Sequence, residues 1–529
     1  MTFPFNITMA QLNPTVGALS DNFEKIETIA AENESADIIA FSECITTGYP
    51  VDDLVLNHGF MKDVHNHINL FLENSKNWHP AFIIPTPWLI DGTLYNAALF
   101  IHGGKIQQIV KKHELPNDGV FDEKRLFAQG DLPDVIDFNG SKIGLMICED
   151  MWHATVANHL KSQDADFFIV VNGSPYHTGI YKDRLSKARA RVSKNKIPLL
   201  YVNQVGGQDD LVFDGRSFVM NKDGDIDIEF PAFQEYVSDT NTHINVDALD
   251  RLEEIYAALT LGVQDYVFKN GFQGVLIGLS GGIDSALTAA IAVDALGAQN
   301  VQCVMMPSEY TSQHSLDDAK KCAEMLGVEY DIISIKDTVS ALEKSLDGHI
   351  KKGAHDLAFE NIQSRARGVI MMALSNATGK ILLTTGNKSE MAVGYATLYG
   401  DMCGGYNALK DVYKTDVYAL SSWRNDQGNI MPKTIITKAP TAELRADQTD
   451  QDSLPPYEVL DDILQCLIDK NMSPEEIDHP TDLVCGIWKL LDRAEYKRRQ
   501  SPPGAKITAK AFGRDRRYPI TNGYFGSKG

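Results

Sequence analysis

The chain is short of positive charge. Its 529 residues hold 49 lysines and arginines against 71 aspartates and glutamates, a formal charge of -22. An acidic excess of that size argues against a nucleic-acid coat or a binder of anionic membranes, although local basic pockets remain compatible with it. Cysteine is also sparse: Cys44, Cys148, Cys303, Cys322, Cys403, Cys466 and Cys485 are scattered and odd in number, and none forms a CxxC pair. Such spacing fits reduced thiols and excludes a disulfide framework or a zinc site. No apolar run approaches the ~18 residues of a membrane helix. The opening MTFPFNITMAQLNPTVG lacks a basic region followed by an apolar stretch. The expectation is therefore a soluble cytoplasmic protein with neither a nucleic-acid nor a membrane partner. Internal repeats, low-complexity tracts and the GxxxxGK[ST] phosphate loop are likewise missing.

What is present is ordinary globular composition, 43% hydrophobic and 23% charged. The length is about three and a half times a ~150-residue domain, enough for two large domains or three ordinary ones. The first half alternates short Ile-, Val- and Phe-rich runs (ADIIAFSE, AFIIPTPW, KIGLMICE, ADFFIVVNG) with helix-like stretches, which predicts a layered α/β domain. SFVMNKDGDIDIEF reads as a hairpin around KDGD. A polar, weakly patterned stretch from about 231 to 248 follows, and the boundary is placed there, giving domains 1–245 and 246–529. The second half opens with the amphipathic DALDRLEEIYAALTLGVQDYVFKN. Strand, loop and helix units follow, predicting a parallel nucleotide-binding sheet.

Three reactive side chains of the first half fall at strand ends. Cys148 follows KIGLMI, Glu43 closes DIIAFSE and Lys112 closes QIVKK. A turn directly after a strand exposes a side chain at the sheet edge, as a nucleophile requires. A free thiol is only a few per cent thiolate at neutral pH, so catalysis needs a base and a nearby positive charge. FSEC, KKHELPNDGVFDEKRLFAQGD and KIGLMICEDMW, in this order, resemble the nitrilase or carbon-nitrogen hydrolase superfamily. The resemblance covers residues 1 to about 235 and implies an α-β-β-α sandwich with a Glu43, Lys112, Cys148 amidase triad. It casts Glu123 as a supporting carboxylate, beside its plain reading as a helix N-terminal charge. It also implies glutamine contacts, with departures. Ser174 keeps the NGSP turn, whereas Asp118 stands where related members have Tyr, and Ile180 where they have Lys. Lys182 is the substitute available if the loop shifts.

GLSGGIDS, comprising Gly278, Leu279, Ser280, Gly281, Gly282, Ile283, Asp284 and Ser285, joins a predicted strand to a predicted helix. Small residues there let backbone N–H groups approach a phosphate, and the helix N-terminus adds its dipole. The loop resembles that of the ATP pyrophosphatases, which implies a Rossmann-like domain with ATP as co-substrate. Asp284 beside phosphates calls for a cation, and Mg2+ suits hard oxygen ligands. Glu390, in TGNKSE, is placed to complete that metal site, and Thr385 to contact ATP or to cap a helix.

Four further stretches together resemble the glutamine-dependent NAD synthetase family from about 250 to 529. They are ENIQSRARGVIMM, the run from LLTTGNKSE to DVYAL, APTAELRADQTDQDSLPPYEVLD, and EYKRRQSPPGAKITAKAFGRDRRYPI. The resemblance implies that Asn361, Glu390 and Lys497 bind deamido-NAD, with Asp416 and Lys410 as weaker candidates. It implies glutamine, ATP and deamido-NAD as small-molecule partners, and a homo-oligomer. Some residues of the basic stretch from Lys497 to Arg517 are expected to supply phosphate contacts, and the others to be surface charges. Two other readings stand beside this one: a synthetase using free ammonia fused to a separately acting amidase, and a first half that serves only as scaffold.

Overall fold

The computed structural model describes residues 3–242, 244, 246–350, 355–438, 443–445 and 454–524, the side chains of 355 and 356 excepted. Most of the APTAELRADQTDQDSLPPYEVLD motif and position 245 of the expected boundary lie outside the described residues. The chain divides into two compact units, Met1–Leu249 and Asp250–Gly529. Among the described residues no helix is long and apolar enough to cross a membrane.

The first unit is two six-stranded sheets face to face. One runs laterally Tyr236–Asp239, Ile7–Gln11, Ile38–Phe41, Ala81–Ile90, Thr93–His102, Lys105–Lys111. The other runs Ile226–Glu229, Phe218–Met220, Leu199–Asn203, Phe167–Asn172, Ser141–Ile147, Ile136–Phe138. Alternate residues of each strand divide between two cores. Ile7, Met9, Ile38 and Ala40 meet Ile143, Leu145, Ile169 and Val171 between the sheets. Ile39, Phe41 and Phe82 face outward onto Phe23, Ile26, Ile68 and Phe71 of the helices Leu19–Glu32 and His58–Asn74. Met146, Phe168 and Val170 do the same beneath Ala154–Ser162 and Ile180–Asn195. Strands buried on both faces explain the unbroken apolar runs of the sequence, and the result is the expected α-β-β-α sandwich. The KDGD segment does turn a hairpin, between Phe218–Met220 and Ile226–Glu229. The 231–248 stretch is more ordered than its composition indicates, because Tyr236–Asp239 pairs antiparallel with Ile7–Gln11. All four of its residues are half-buried at the sheet edge, so no apolar alternation marked it.

The second unit opens on helix Arg251–Lys269, whose N-terminus is a capping box. Asp250 accepts from the N–H groups of Leu252 and Glu253, and the Glu253 carboxylate accepts from that of Asp250. Its sheet is wholly parallel, in the lateral order Glu329–Ile332, Val301–Met305, Val275–Gly278, Ile381–Thr384, Tyr406–Asn407. Chain order reverses between Val275–Gly278 and Ile381–Thr384. Loops leaving those two adjacent strands diverge, opening a crevice at their carboxyl ends. The glycine loop 278–285 and the segment 385–390 lie there.

Candidate functional site

In the first unit three strand ends converge. Glu43 lies two residues beyond Ile38–Phe41, Lys112 directly follows Lys105–Lys111, and Cys148 directly follows Ser141–Ile147. Glu43 and Lys112 are completely buried and Cys148 is 3% exposed. The Lys112 ammonium lies 2.7 Å from Glu43 Oε1 and 2.9 Å from the Glu123 carboxylate. Tyr49 donates to Glu123 Oε1 at 2.9 Å, Asn96 Nδ2 to Glu43 Oε1 at 2.7 Å, and the Gly173 N–H to Glu43 Oε2 at 2.9 Å.

Two buried carboxylates and one buried ammonium make an asymmetric cluster. Burial alone would lower Lys112, yet Glu123 and Glu43 hold it well above the usual lysine range. Burial, then the charge of Glu43, pushes the Cys148 thiol well up, so it rests protonated and would need a base in order to act as a nucleophile. Cys148 also has φ 46° and ψ -97°, a conformation costing on the order of 1–3 kcal/mol in a non-glycine residue. The strand stops and a helical turn begins there, and Glu149 is half-buried, its Oε1 3.1 Å from His153 Nε2.

Glu123 is pushed from its ordinary 4.5 to about 7, chiefly by burial, with Glu43 adding to the rise against the pull of Lys112. The folded state therefore binds more protons than the unfolded one across that window, and stability falls as pH rises through it. Glu123→Gln removes this titration. Its melting temperature should decline less steeply than the wild type's between pH 5 and 7, and an equal slope would put the effect elsewhere.

Ser174 is buried at the end of Phe167–Asn172, its Oγ accepting from Arg184 Nε at 3.0 Å and its N–H donating to Asn203. Arg184 is itself buried, paired with Asp214. Ile180 is buried as the first residue of its helix, while Asp118 and Lys182 are exposed.

In the second unit a cavity of about 320 Å³ opens at the crevice and is lined by all of Gly278–Ser285, by Thr385 and by Glu390. Gly281 has φ +80°, and a Cβ there would lie 2.4 Å from the Ser315 carbonyl oxygen, so only glycine permits this turn. Asn387 connects the two loops: its Oδ1 accepts from the Glu390 N–H and its Nδ2 donates to Asp284 Oδ1 at 2.8 Å. Asp284 and Glu390 share one cation, the ammonium of Lys414, which pairs with Asp284 and lies 3.3 Å from Glu390 Oε1. Those two carboxylates hold Lys414 well above its usual value although burial opposes them. Among the described residues no three His, Cys, Asp or Glu side chains converge on a metal position. Two carboxylates aimed at one cation position beside a phosphate-sized cradle nevertheless fit Mg2+ carried by a nucleotide.

Asn361 and Lys497 are outside the cavity lining but adjoin it. Asn361 accepts from the Thr397 hydroxyl at 2.9 Å, and Lys497 donates to the carbonyls of Gly394 and Ala396. Asp416 pairs with Arg251, and Lys410 does not line the cavity. The basic stretch is largely occupied internally. Arg498 is bonded to Glu495 and three backbone carbonyls, Arg516 to Asp492 and Glu495, and Lys506 to Asp515. These buried pairs hold residues 498–516 onto the unit.

Residues 6–244 match the carbon-nitrogen hydrolase family and residues 255–501 the NAD synthase family. A glutamine-dependent NAD(+) synthetase of Rhodobacter capsulatus is 47% identical, with 99% of each chain covered. The chain belongs to the glutamine-dependent NAD(+) synthetase family. The member from Aquifex aeolicus is 42% identical over 98% of this chain and all of its own. The structure of the Acinetobacter baumannii glutamine-dependent NAD+ synthetase in complex with ADP is 40% identical, with a TM-score of 0.79 over 99% and 100% of the two chains. A Cytophaga hutchinsonii glutamine-dependent NAD(+) synthetase shares the fold at 20% identity, with a TM-score of 0.84 over 98% of each.

Sequence reasoning on this synthetase-family chain passed over Tyr49, Asn96, Asp150, Arg184, Asn387 and Lys414. Asn96 carried a signal, being polar at a position of TLYNAALFI whose neighbours are all apolar. Asn387 and Lys414 lay inside quoted motifs, but nothing in their spacing says that they face Asp284.

Proposed function

We propose that the chain converts deamido-NAD to NAD(+), taking nitrogen from glutamine and splitting ATP to AMP and pyrophosphate. The observation carrying this reading is that one chain holds both a buried Glu43, Lys112, Cys148 cluster and a glycine-loop cavity closed by Asp284, Glu390 and Lys414. We assign residues 1–245 to the first reaction and 246–529 to the second.

In the first, Glu43 takes the thiol proton and Cys148 Sγ attacks the glutamine amide carbon. The oxyanion develops beside Lys112, an electrostatic contribution of roughly 3 kcal/mol. Glu43 returns the proton to the departing ammonia, and water then cleaves the thioester to glutamate. Glu123 keeps Lys112 charged and aimed. Ser174 and Ile180 line the glutamine side, with Asp118 and Lys182 at its exposed edge.

In the second, the nicotinate carboxylate attacks the α-phosphorus of ATP and pyrophosphate leaves. Ammonia then attacks the activated carbon and AMP leaves. Gly278–Ser285 and Thr385 hold the nucleotide, and Asn361, Glu390 and Lys497 orient deamido-NAD. Asp284 and Glu390 would hold Mg2+, which supplies charge neutralisation at the phosphates. Lys414, now between them, is long enough to follow the phosphates instead. We also take the enzyme to be a cytoplasmic homo-oligomer; light scattering at working concentration decides the second point.

Chromatographic analysis of the nucleotides tests the adenylating step. One AMP and one pyrophosphate per NAD(+) formed is expected; ADP and phosphate as products would overturn it.

A further inference from the structure

One buried carboxylate in the first unit takes no part in the chemistry above. Asp150 is completely buried two residues after the nucleophile, and its hydrogen bonds all come from backbone N–H groups. Its Oδ2 accepts from Ile147 at 3.0 Å, the residue just before Cys148. Its Oδ1 accepts from His113 at 3.1 Å and Glu114 at 2.8 Å, the two residues just after Lys112. Resting on the glutaminase reading above, we propose that Asp150 is a positioning residue that holds the nucleophile loop and the lysine loop in register through these three N–H groups.

Three observations support this. Cys148 sits in a strained backbone conformation that persists only where its surroundings over-determine it. The Cys148 N–H donates to Val171 and its carbonyl accepts from Met151, which fixes the elbow to its own sheet and helix but to nothing on the lysine side. Lys112 is likewise fixed locally, by its N–H to Asn96 and its carbonyl from Gly130. The ring of His113, whose Nδ1 donates to the Gly130 carbonyl at 2.8 Å, stays on the lysine side too. Asp150 alone among these groups bonds to both loops. It is also an expensive choice for mere packing. Burial pushes its carboxyl up to about 6, and the three N–H groups and Lys112 only partly offset that. A buried charge satisfied wholly by N–H groups fixes geometry better than an apolar residue, which would fill the same space at lower cost.

The reacting atoms must align to within a fraction of an ångström, and a misplacement of about 1 Å costs about a hundredfold in rate. Asp150→Asn keeps the shape but replaces one accepting oxygen by an NH2 group, so either Ile147 or the His113 and Glu114 pair meets a donor. The full-length variant should lose about a hundredfold in kcat for glutamine-driven synthesis with little change in KM. Ammonium-driven synthesis, which uses only the second unit, should be retained, and alkylation of Cys148 by iodoacetamide should slow. An unchanged kcat would overturn the proposal. So would an equal loss of both reactions, which marks a purely structural role. If the variant is insoluble, hydrogen exchange of the wild-type protein decides instead. Peptides spanning 112–116 and 144–150 should exchange slowly and together, and much faster exchange of the first would overturn the clamp. Loss of glutamine-driven synthesis in Cys148→Ala but not in Asp150→Asn would remove this inference and leave the glutaminase reading intact. Retention of it in both would remove the glutaminase reading itself.

Discussion

Replacing Cys148 with alanine is expected to lower glutamine-driven NAD(+) formation about a thousandfold or more, while ammonium-driven formation stays within about twofold of wild type. The asymmetry follows from where the groups lie. Cys148, Glu43 and Lys112 belong to the first unit, and every residue lining the adenylating cavity belongs to the second. Alanine removes the sulfur proposed to form the thioester, and its neighbours are otherwise engaged: Glu43 and Glu123 with Lys112, and the Cys44 thiol with Asn96 Oδ1 at 3.7 Å. Alanine is also mild at this site, since Cys148 contributes no side-chain cap to the turn it begins. Initial rates of pyrophosphate release with each nitrogen donor measure the effect. Equal rates on both donors in the variant would show that the first unit does not feed the second.

Asp284→Ala is expected to have the converse signature, abolishing synthesis from either donor while glutamine hydrolysis continues. Asp284 pairs with Lys414 and accepts from Asn387. Its loss leaves a 1% exposed ammonium facing Glu390 alone and frees Asn387, the residue that joins the glycine loop to the Glu390 helix. Removing one member of a buried ion pair typically costs about 3–5 kcal/mol, because the other charge stays behind. Some of that will appear as lower stability of the second unit. The chemical loss should exceed it, since the carboxylate is also proposed to hold the phosphate-bound cation. Assays of ATP turnover at saturating substrate, alongside glutamine hydrolysis in the same sample, separate the two effects. Normal ATP turnover in this variant would remove the glycine loop from the mechanism.

These expectations rest unequally on sequence and structure. Glu43, Lys112 and Cys148 were legible as candidates because a short unbroken apolar run that stops abruptly marks the sheet edge, and the resemblance of their three motifs joined them into a triad. Gly278–Ser285 was legible for the same reason, with Gly281 adding a backbone conformation that its type announces. The partners were not. Asn96 and Asp150 reach the first cluster across 53 and 37 positions of sequence, and no local periodicity records such a meeting. Lys414 lies 130 residues from Asp284, in a helix whose own pattern is unremarkable. The internal pairing of the basic end went unread for a related reason. Charge counts do not distinguish an arginine that meets a phosphate from one such as Arg498, which is buried among carbonyls and Glu495. Edge strand Tyr236–Asp239 escaped because half-buried residues need no apolar alternation.

The central claim is that one chain moves nitrogen from glutamine to the activated carboxylate. Ammonia released into neutral water becomes mostly ammonium, which has no lone pair to attack with, so transfer should outcompete the solvent. The direct measurement is the mass of NAD(+) formed from amide-15N glutamine in the presence of unlabelled ammonium, ATP and deamido-NAD. The account predicts product predominantly one mass unit heavier, and unlabelled product only when Cys148→Ala is used. Predominantly unlabelled product from the wild-type protein would contradict it and leave two enzymes that merely share a chain.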